Sequence, residues 1–375
     1  MQNKAIHIIS FDNPYPPIYG GVIDVYYKIK ALHEIGMEIY LHCFVAKIPN
    51  EFPELEAITK KVFFYKASKN PLLLFSRIPF SVICRNDKKL LQNLEQVVAP
   101  ILFEGLKTTY LVHKNHLQNH PKILRLHNIE QHYFEGISRS ETSYFHKILF
   151  YLESKKYENF EKITPKFDKV IALSHFEMEY VNRKFGNSVY VPVFHGNEMT
   201  NRLSSFGKYA LYHGDLRMSD NKRAVAFLIN VFQKIPDYSF IIASNSGADF
   251  VKSKIISSSN ISFVSIENEH HLDDLLENAH INVMLSFQQS GTKLKLINCL
   301  YKSRFCIINK NIVDDEMVRN CCEMAETEAE FIVAVNRLRS QPYLDFEKRK
   351  SALLPILNDA ANAKLIATLI ASNHE

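Results

Sequence analysis

The chain alternates short apolar runs with helical runs, and it does so twice. Each apolar run ends in a polar or glycine-bearing turn, and most of these turns open a helix. Ala5-Ile6-His7-Ile8-Ile9-Ser10 is the first run. Its loop, stiffened by Pro14, Pro16 and Pro17, closes on Gly20-Gly21. A helix is expected next, with Val22, Val25, Ile29 and Leu32 at helical spacing, stopping near Gly36. Strands alternating with helices require a parallel sheet, because parallel neighbours are joined by a crossover, and both faces of such a sheet are covered. The fold class is therefore α/β.

The pattern predicts strands over 38–44, 62–65, 109–112, 123–127, 169–174 and 189–193, and helices over 87–103, 141–163 and 175–184. A polar segment, 194–208, with two glycines separates this run from a second one. There the strands are expected over 209–213, 238–243, 261–264, 281–285 and 305–309, and the helices over 221–233, 249–256, 272–278, 294–301 and 329–339. A length of 375 residues suits two such domains. The expected architecture is two Rossmann-like parallel-sheet domains facing a cleft, over 1–200 and 201–345. A terminal helix pair around Pro355, over 346–375, is expected to pack back towards the first domain. In open parallel sheets, ligands bind beyond the carboxyl ends of the strands.

The most informative such end is 286–298. An apolar strand leads into the turn Ser290-Gly291-Thr292, and an apolar-periodic helix carrying Lys293 and Lys295 follows. Free backbone N–H groups and the positive end of the helix dipole favour an anion there, with Thr292 able to cap the helix. The plainer reading is an ordinary strand-to-helix connection with two solvated lysines. Gly20-Gly21 likewise permits close approach of a phosphate or sugar, or simply makes a turn. Arg125-Leu126-His127-Asn128-Ile129-Glu130-Gln131-His132 places a histidine where it can donate a hydrogen bond or handle a proton, with Glu130 near enough to orient it. The spacing of His127 and His132 does not suit a metal. His213-Gly214 opens a polar loop in which Arg217, Lys222 and Arg223 gather at a helix start, a place that favours an anion between them. Ser174, His175 and Glu177 invite a hydrolase reading, but adjacent serine and histidine cannot face each other as nucleophile and base.

Six cysteines without a Cys-x-x-Cys pair read as reduced, buried thiols. The first 200 residues carry 25 basic against 20 acidic side chains and the rest 20 against 20, so the whole net charge of +5 sits in the first half. That suits an anionic acceptor or a membrane surface, while no basic run is dense enough for nucleic acid. No apolar run is long enough to span a bilayer; the segment 71–84, broken by Arg77 and Pro79, could dip into an interface. Met1-Gln2-Asn3-Lys4 leads straight into a strand, so no secretory leader is expected, and the expected location is cytoplasmic, peripheral at the inner face of the membrane.

Taken in order, these landmarks resemble the retaining glycosyltransferases of the two-domain GT-B fold: the proline-rich loop ending in Gly20-Gly21, the strand end Arg125-Leu126-His127-Asn128-Ile129-Glu130, Val170-Ile171-Ala172-Leu173-Ser174, the Gly214 segment with Lys222, and Ser290-Gly291-Thr292-Lys293-Leu294-Lys295-Leu296. The resemblance implies transfer of a sugar from a nucleoside diphosphate sugar, held by the C-terminal domain, to a glycan or lipid-linked acceptor held by the N-terminal domain. It implies retention of configuration, no cofactor and no catalytic metal. Gly20, Gly21, Gly214, Ser290, Gly291, Thr292 and Lys293 would lie at the donor. Arg217 or Lys222 with Lys295 would clamp the diphosphate, His127 would stand beside the transferred sugar, and Asn128 and Glu130 would face the acceptor. The family commonly carries two glutamates eight positions apart around this loop, the second gripping the ribose; Ser290 and Asn298 stand there instead. The amide of Asn298 can still bond a ribose hydroxyl, without charge assistance. Two rival readings are a non-catalytic scaffold of the same fold in polysaccharide assembly and a nucleotide-sugar epimerase.

Overall fold

The computed structural model describes residues 4–141, 143–198, 203–288 and 293–371. The chain forms two compact units, one of Met1–Gly196 with Leu357–Glu375 and the other of Asn197–Ile356.

The first unit holds a seven-stranded parallel sheet in the order β3-β2-β1-β4-β5-β6-β7. Its strands are β1 (Ala5–Ser10), β2 (Glu38–Val45), β3 (Lys61–Lys66), β4 (Ile101–Glu104), β5 (Lys122–Leu126), β6 (Lys169–Ala172) and β7 (Ser188–Tyr190). All six residues of β1 are buried, as a central strand covered on both faces must be. On one face lies α1 (Gly20–Glu34), whose Val22, Val25, Ile29 and Leu32 share a core with Ile6, Ile8 and Leu41. On the other face Ile9, Phe103 and Leu124 pack with Tyr157 and Phe160.

Three expectations for this unit fail. Residues 109–112 are not a strand; Tyr110–His113 is a helical turn, and the strand is Ile101–Glu104. The helix expected to run to 103 stops at Leu94, before Pro100, a residue that an interior helical turn cannot accept. Residues 130–140, where no helix is expected, form helix α2 (Glu130–Ser140), which makes a hairpin with α3 (Tyr144–Phe160). The strand β6 is followed by α4 (His175–Lys184), capped by Ser174, whose Oγ accepts from Glu177 N at 3.2 Å. The serine of the rejected hydrolase set is thus a helix cap.

The second unit holds a six-stranded parallel sheet in the order β10-β9-β8-β11-β12-β13. The strands are β8 (Tyr209–His213), β9 (Phe240–Ser244), β10 (Ile261–Ser265), β11 (Ala279–Met284), β12 (Phe305–Ile308) and β13 (Glu323–Met324). Helices α5 (Ser219–Gln233), α6 (Glu269–Asn278), α7 (Leu294–Lys302) and α8 (Glu328–Leu338) connect and cover them. The terminal helix pair is divided between the units. In the second, α9 (Phe346–Leu353) is held by Arg349, which donates to the carbonyls of Ser303 and Arg304. In the first, α10 (Asp359–Ala371) buries Ala363, Ile366 and Ile370 in the α1 core, and Asp359 accepts from the backbone of His195 and Gly196. Ile366→Ala would cost about 2–5 kcal/mol.

Each sheet reverses its strand order beside its first strand, between β1 and β4 and between β8 and β11. Connections leave in opposite directions at such a point and open a crevice at the carboxyl ends. All six cysteines are free thiols. No helix of the described residues is long and apolar enough to cross a membrane.

Candidate functional site

In the first unit, α1 begins at the glycine pair, with Tyr19 as N-cap. A Cβ on Gly21 would stand 2.7 Å from Phe11 Cζ, so the bare backbone lets the loop after β1 fold against the helix. The Phe11 ring meets the His127 ring edge to face, centroids 5.3 Å apart. The ends of β1 and β5 and the start of α1 therefore converge.

Beneath them lies a closed network of charge. His127 Nε2 stands 2.8 Å from Glu104 Oε2 at the end of β4. Lys28 Nζ lies 2.8 Å from Glu104 Oε1 and donates to Asp24 Oδ2 at 2.8 Å, one helical turn away on α1. Arg125 donates to Asp24 Oδ1 at 2.8 Å and Oδ2 at 3.3 Å, and to the carbonyls of Val191 and Pro192. Phe194 N completes Asp24 with a 2.8 Å bond. All five side chains are buried. Burial alone would push both carboxyls up. Arg125 and Lys28 outweigh it at Asp24, and Lys28 and His127 at Glu104, so both are held below the usual carboxylate range. Asp24, Glu104 and His127 lie close enough to suggest a metal centre. Yet all four carboxylate oxygens already face protein cations, so the donor set does not fit a metal.

Glu104 takes the place next to His127 that was expected for Glu130. Glu130 is the first residue of α2, and its carboxylate lies 4.0 Å from Lys107 Nζ, which stands 4.2 Å from the centre of the Phe11 ring. Burial lowers the Lys107 pKa, opposed by Glu130. Asn128, half-buried, borders with Glu130 a cavity of about 20 Å³. That is room for a water, not a sugar.

In the second unit, the ends of β8 and β11 and the starts of α5 and α7 come together. Asp220, in the first turn of α5, accepts from Ser286 Oγ at 2.7 Å and Phe287 N at 3.0 Å, fastening the loop after β11 to that helix. Asn309 and Asn311 both donate to Ser286 O, which fixes the loop from the other side. Lys295 donates to Asn221 Oδ1 at 3.3 Å, and its ammonium lies 4.9 Å from the centre of the Tyr212 ring. Among the described residues it makes no ion pair. Burial, reinforced by Lys293 and only partly opposed by Asp220, lowers its pKa to about 8. The next strand-end group, His213, is fully buried, and burial with the Lys295 charge pushes it to about 3, so it is neutral. A Cβ on Gly214 would lie 3.1 Å from Tyr212 Oη and 3.5 Å from Asn221 Nδ2, filling the space beside Lys295's partners.

The other expected cations are placed differently. Arg217 is 73% exposed and folds back on Asp215, donating to both carboxylate oxygens at 2.7–3.0 Å. As it stands, it is not held beside Lys295. Lys222 Nζ lies 5.8 Å from the centre of the Phe250 ring, and the Arg223 guanidinium 3.7 Å from that of Phe287. The N-cap of α7 is Lys293, one residue later than expected, and its side chain makes no capping hydrogen bond. Ser290, Gly291 and Thr292 lie outside the described residues. Asn298 Oδ1 accepts from Asn197 Nδ2 at 2.9 Å.

No family model matches the sequence. An uncharacterised 44.6 kDa protein of the cps region of Klebsiella pneumoniae is 24% identical over 329 residues, covering 80% of this chain and 82% of that one. Sucrose-phosphate synthase from Thermosynechococcus elongatus superimposes with a TM-score of 0.69 at 14% identity, over 99% of both chains. The fold is GT-B. HepE of Anabaena, solved with UDP, gives a TM-score of 0.68 at 11% identity, over 98% of this chain and all of that one. The two parallel sheets of the GT-B fold thus account for nearly the whole chain.

Proposed function

We propose that the protein is a glycosyltransferase that moves a sugar from a nucleoside diphosphate sugar to a glycan or lipid-linked acceptor. One observation carries this reading: the half-buried Lys295 ammonium at the ends of β8 and β11, bonded to a neutral amide and an aromatic face, with no carboxylate in ion-pair contact among the described residues and Asp220 acting on it only from a distance. A diphosphate supplies the missing charge. Structural neighbours solved with UDP or UDP-glucose, and a relative from a cps region, support the same class of donor and a polysaccharide context.

In this reading Lys295 and the positive end of the α7 dipole stabilise the leaving diphosphate, a task that needs no metal. Lys222, Lys293 and the bare backbone at Gly214 extend the donor site. Arg217 joins once it leaves Asp215. His127 touches the transferred sugar, Asn128 and Glu130 face the acceptor, and the configuration is retained. Turnover of a donor–acceptor pair should collapse in Lys295→Ala and in His127→Ala. Unchanged turnover in both would refute the assignment.

A scaffold without catalysis is favoured by one contact. Asn298, at the expected ribose position, is neutral and already engaged by Asn197. A thermal-shift series with UDP-, GDP- and ADP-sugars decides: stabilisation by none supports the scaffold.

A further inference from the structure

The buried side chains of helix α3, Glu153, Ser154, Tyr157 and Phe160, all lie in its C-terminal half. Its N-terminal half rests on α2 along one side, where Ser138 donates to Lys147 O at 2.9 Å and the Phe134 and Phe150 rings meet, and leaves another side in solvent. Tyr144 is 79% exposed and Phe145 67%; Ile148, Tyr151 and Leu152 are also exposed. At about 100° per residue these five fall in one arc about 120° wide, a width that on a globular helix normally faces a core. The 3₁₀ turn Pro71–Phe75 is tied alongside. Lys156 donates to Leu74 O at 2.7 Å, and Glu153 accepts from Phe80 N at 2.9 Å. Lys156 follows Leu152 by four positions, so the turn is held next to the stripe, where it adds the exposed Leu72 and Phe75. Phe80 itself is half-buried, so of the two phenylalanines of 71–84 only Phe75 faces solvent.

Charge decides what would cover this surface. Neither 61–80 nor 142–152 contains an acidic residue, while Lys69, Arg77 and Lys147 are exposed within them. A self-complementary contact between two copies would bring these like charges together. An anionic bilayer matches both features, seating aromatic and aliphatic side chains at the headgroup boundary and drawing in the lysines and arginine.

We infer that the first half of α3, with the turn at 71–75, docks the first unit on an anionic membrane surface. The docking is independent of the transferase chemistry, since none of these residues belongs to the proposed donor site.

Co-sedimentation of the full chain with vesicles of phosphatidylglycerol and phosphatidylcholine, against phosphatidylcholine alone, tests it. Binding is expected to the anionic vesicles and to be at least about tenfold weaker to the neutral ones. Phe145→Asp/Ile148→Asp should lose about tenfold or more with an unchanged melting temperature, because both side chains are exposed. Phe75→Asp alone should give a smaller loss. Equal sedimentation of wild type and the double variant would overturn the inference. So would failure of the wild type to bind anionic vesicles, or a lipid-free dimer that the double variant abolishes.

Discussion

The carboxyl ends of the two sheets carry polar clusters of opposite character. In the first unit, Lys28 and Arg125 balance Asp24 and Glu104, and each carboxylate oxygen meets one of these two cations. In the second, Lys295 is half-buried, bonded to the neutral Asn221, with Lys293 and the more weakly acting Asp220 nearby. The first cluster is complete without a ligand and holds α1, β4 and β5 in register. The second is unbalanced, and the proposed function has an anion relieve it. Buried charge is thus used once as structure and, in the proposed reading, once as a binding site.

This contrast predicts that removing a cation has opposite consequences in the two places. Arg125→Met leaves Asp24 buried without its chief counter-charge and should cost about 3–5 kcal/mol, read from the chemical-denaturation midpoint of the first unit. Comparable stability to wild type would mean the network is ornamental. In the second unit, Lys295→Ala should leave folding intact and lower transfer by about 10²- to 10³-fold, the usual loss when one stabiliser of a leaving anion goes. Steady-state turnover measures it.

Protonation gives a finer probe. The ammonium of Lys295 is lost as pH rises through about 8, so donor affinity should fall by about tenfold between pH 7 and 9. Lys295→Arg should flatten that profile. The sign for stability is the reverse. The unfolded chain holds this proton more tightly than the folded one, so the cost of burying the charge is present below pH 8 and fades as pH climbs from there to the ordinary lysine value. The smallest expected effect is a gain: Asn298→Glu should tighten donor binding about three- to tenfold in calorimetry by restoring charge to a ribose contact.

The sequence showed the alternation and both sheets because strand and helix periodicity are local. Residues 209–213 and 175–184 read from it coincide with the observed elements. The N-terminal network was hidden for two physical reasons. Its pairs are distant in sequence: Lys28 and Glu104 lie 76 positions apart, Asp24 and Arg125 101. Periodicity reveals the Asp24–Lys28 spacing on α1 but not what either faces across the sheet. And the apolar run before Glu104 was read as helix despite Pro100, which removed the end of β4 from view. Lys295 was legible because its cues, a strand, a turn and a helix start, are contiguous. Its partners Asp220 and Asn221 were not, since nothing in a polar loop says which neighbour it will fasten.

The central claim is that Lys295 is an uncompensated cation awaiting a diphosphate. Melting of wild type and Lys295→Met, each alone and with UDP and GDP, tests it most directly. The expected result is that the variant alone melts at or above wild type, while a diphosphate raises the melting temperature of wild type only. A variant that melts several degrees lower without ligand, or an equal diphosphate-induced rise in both proteins, would contradict it.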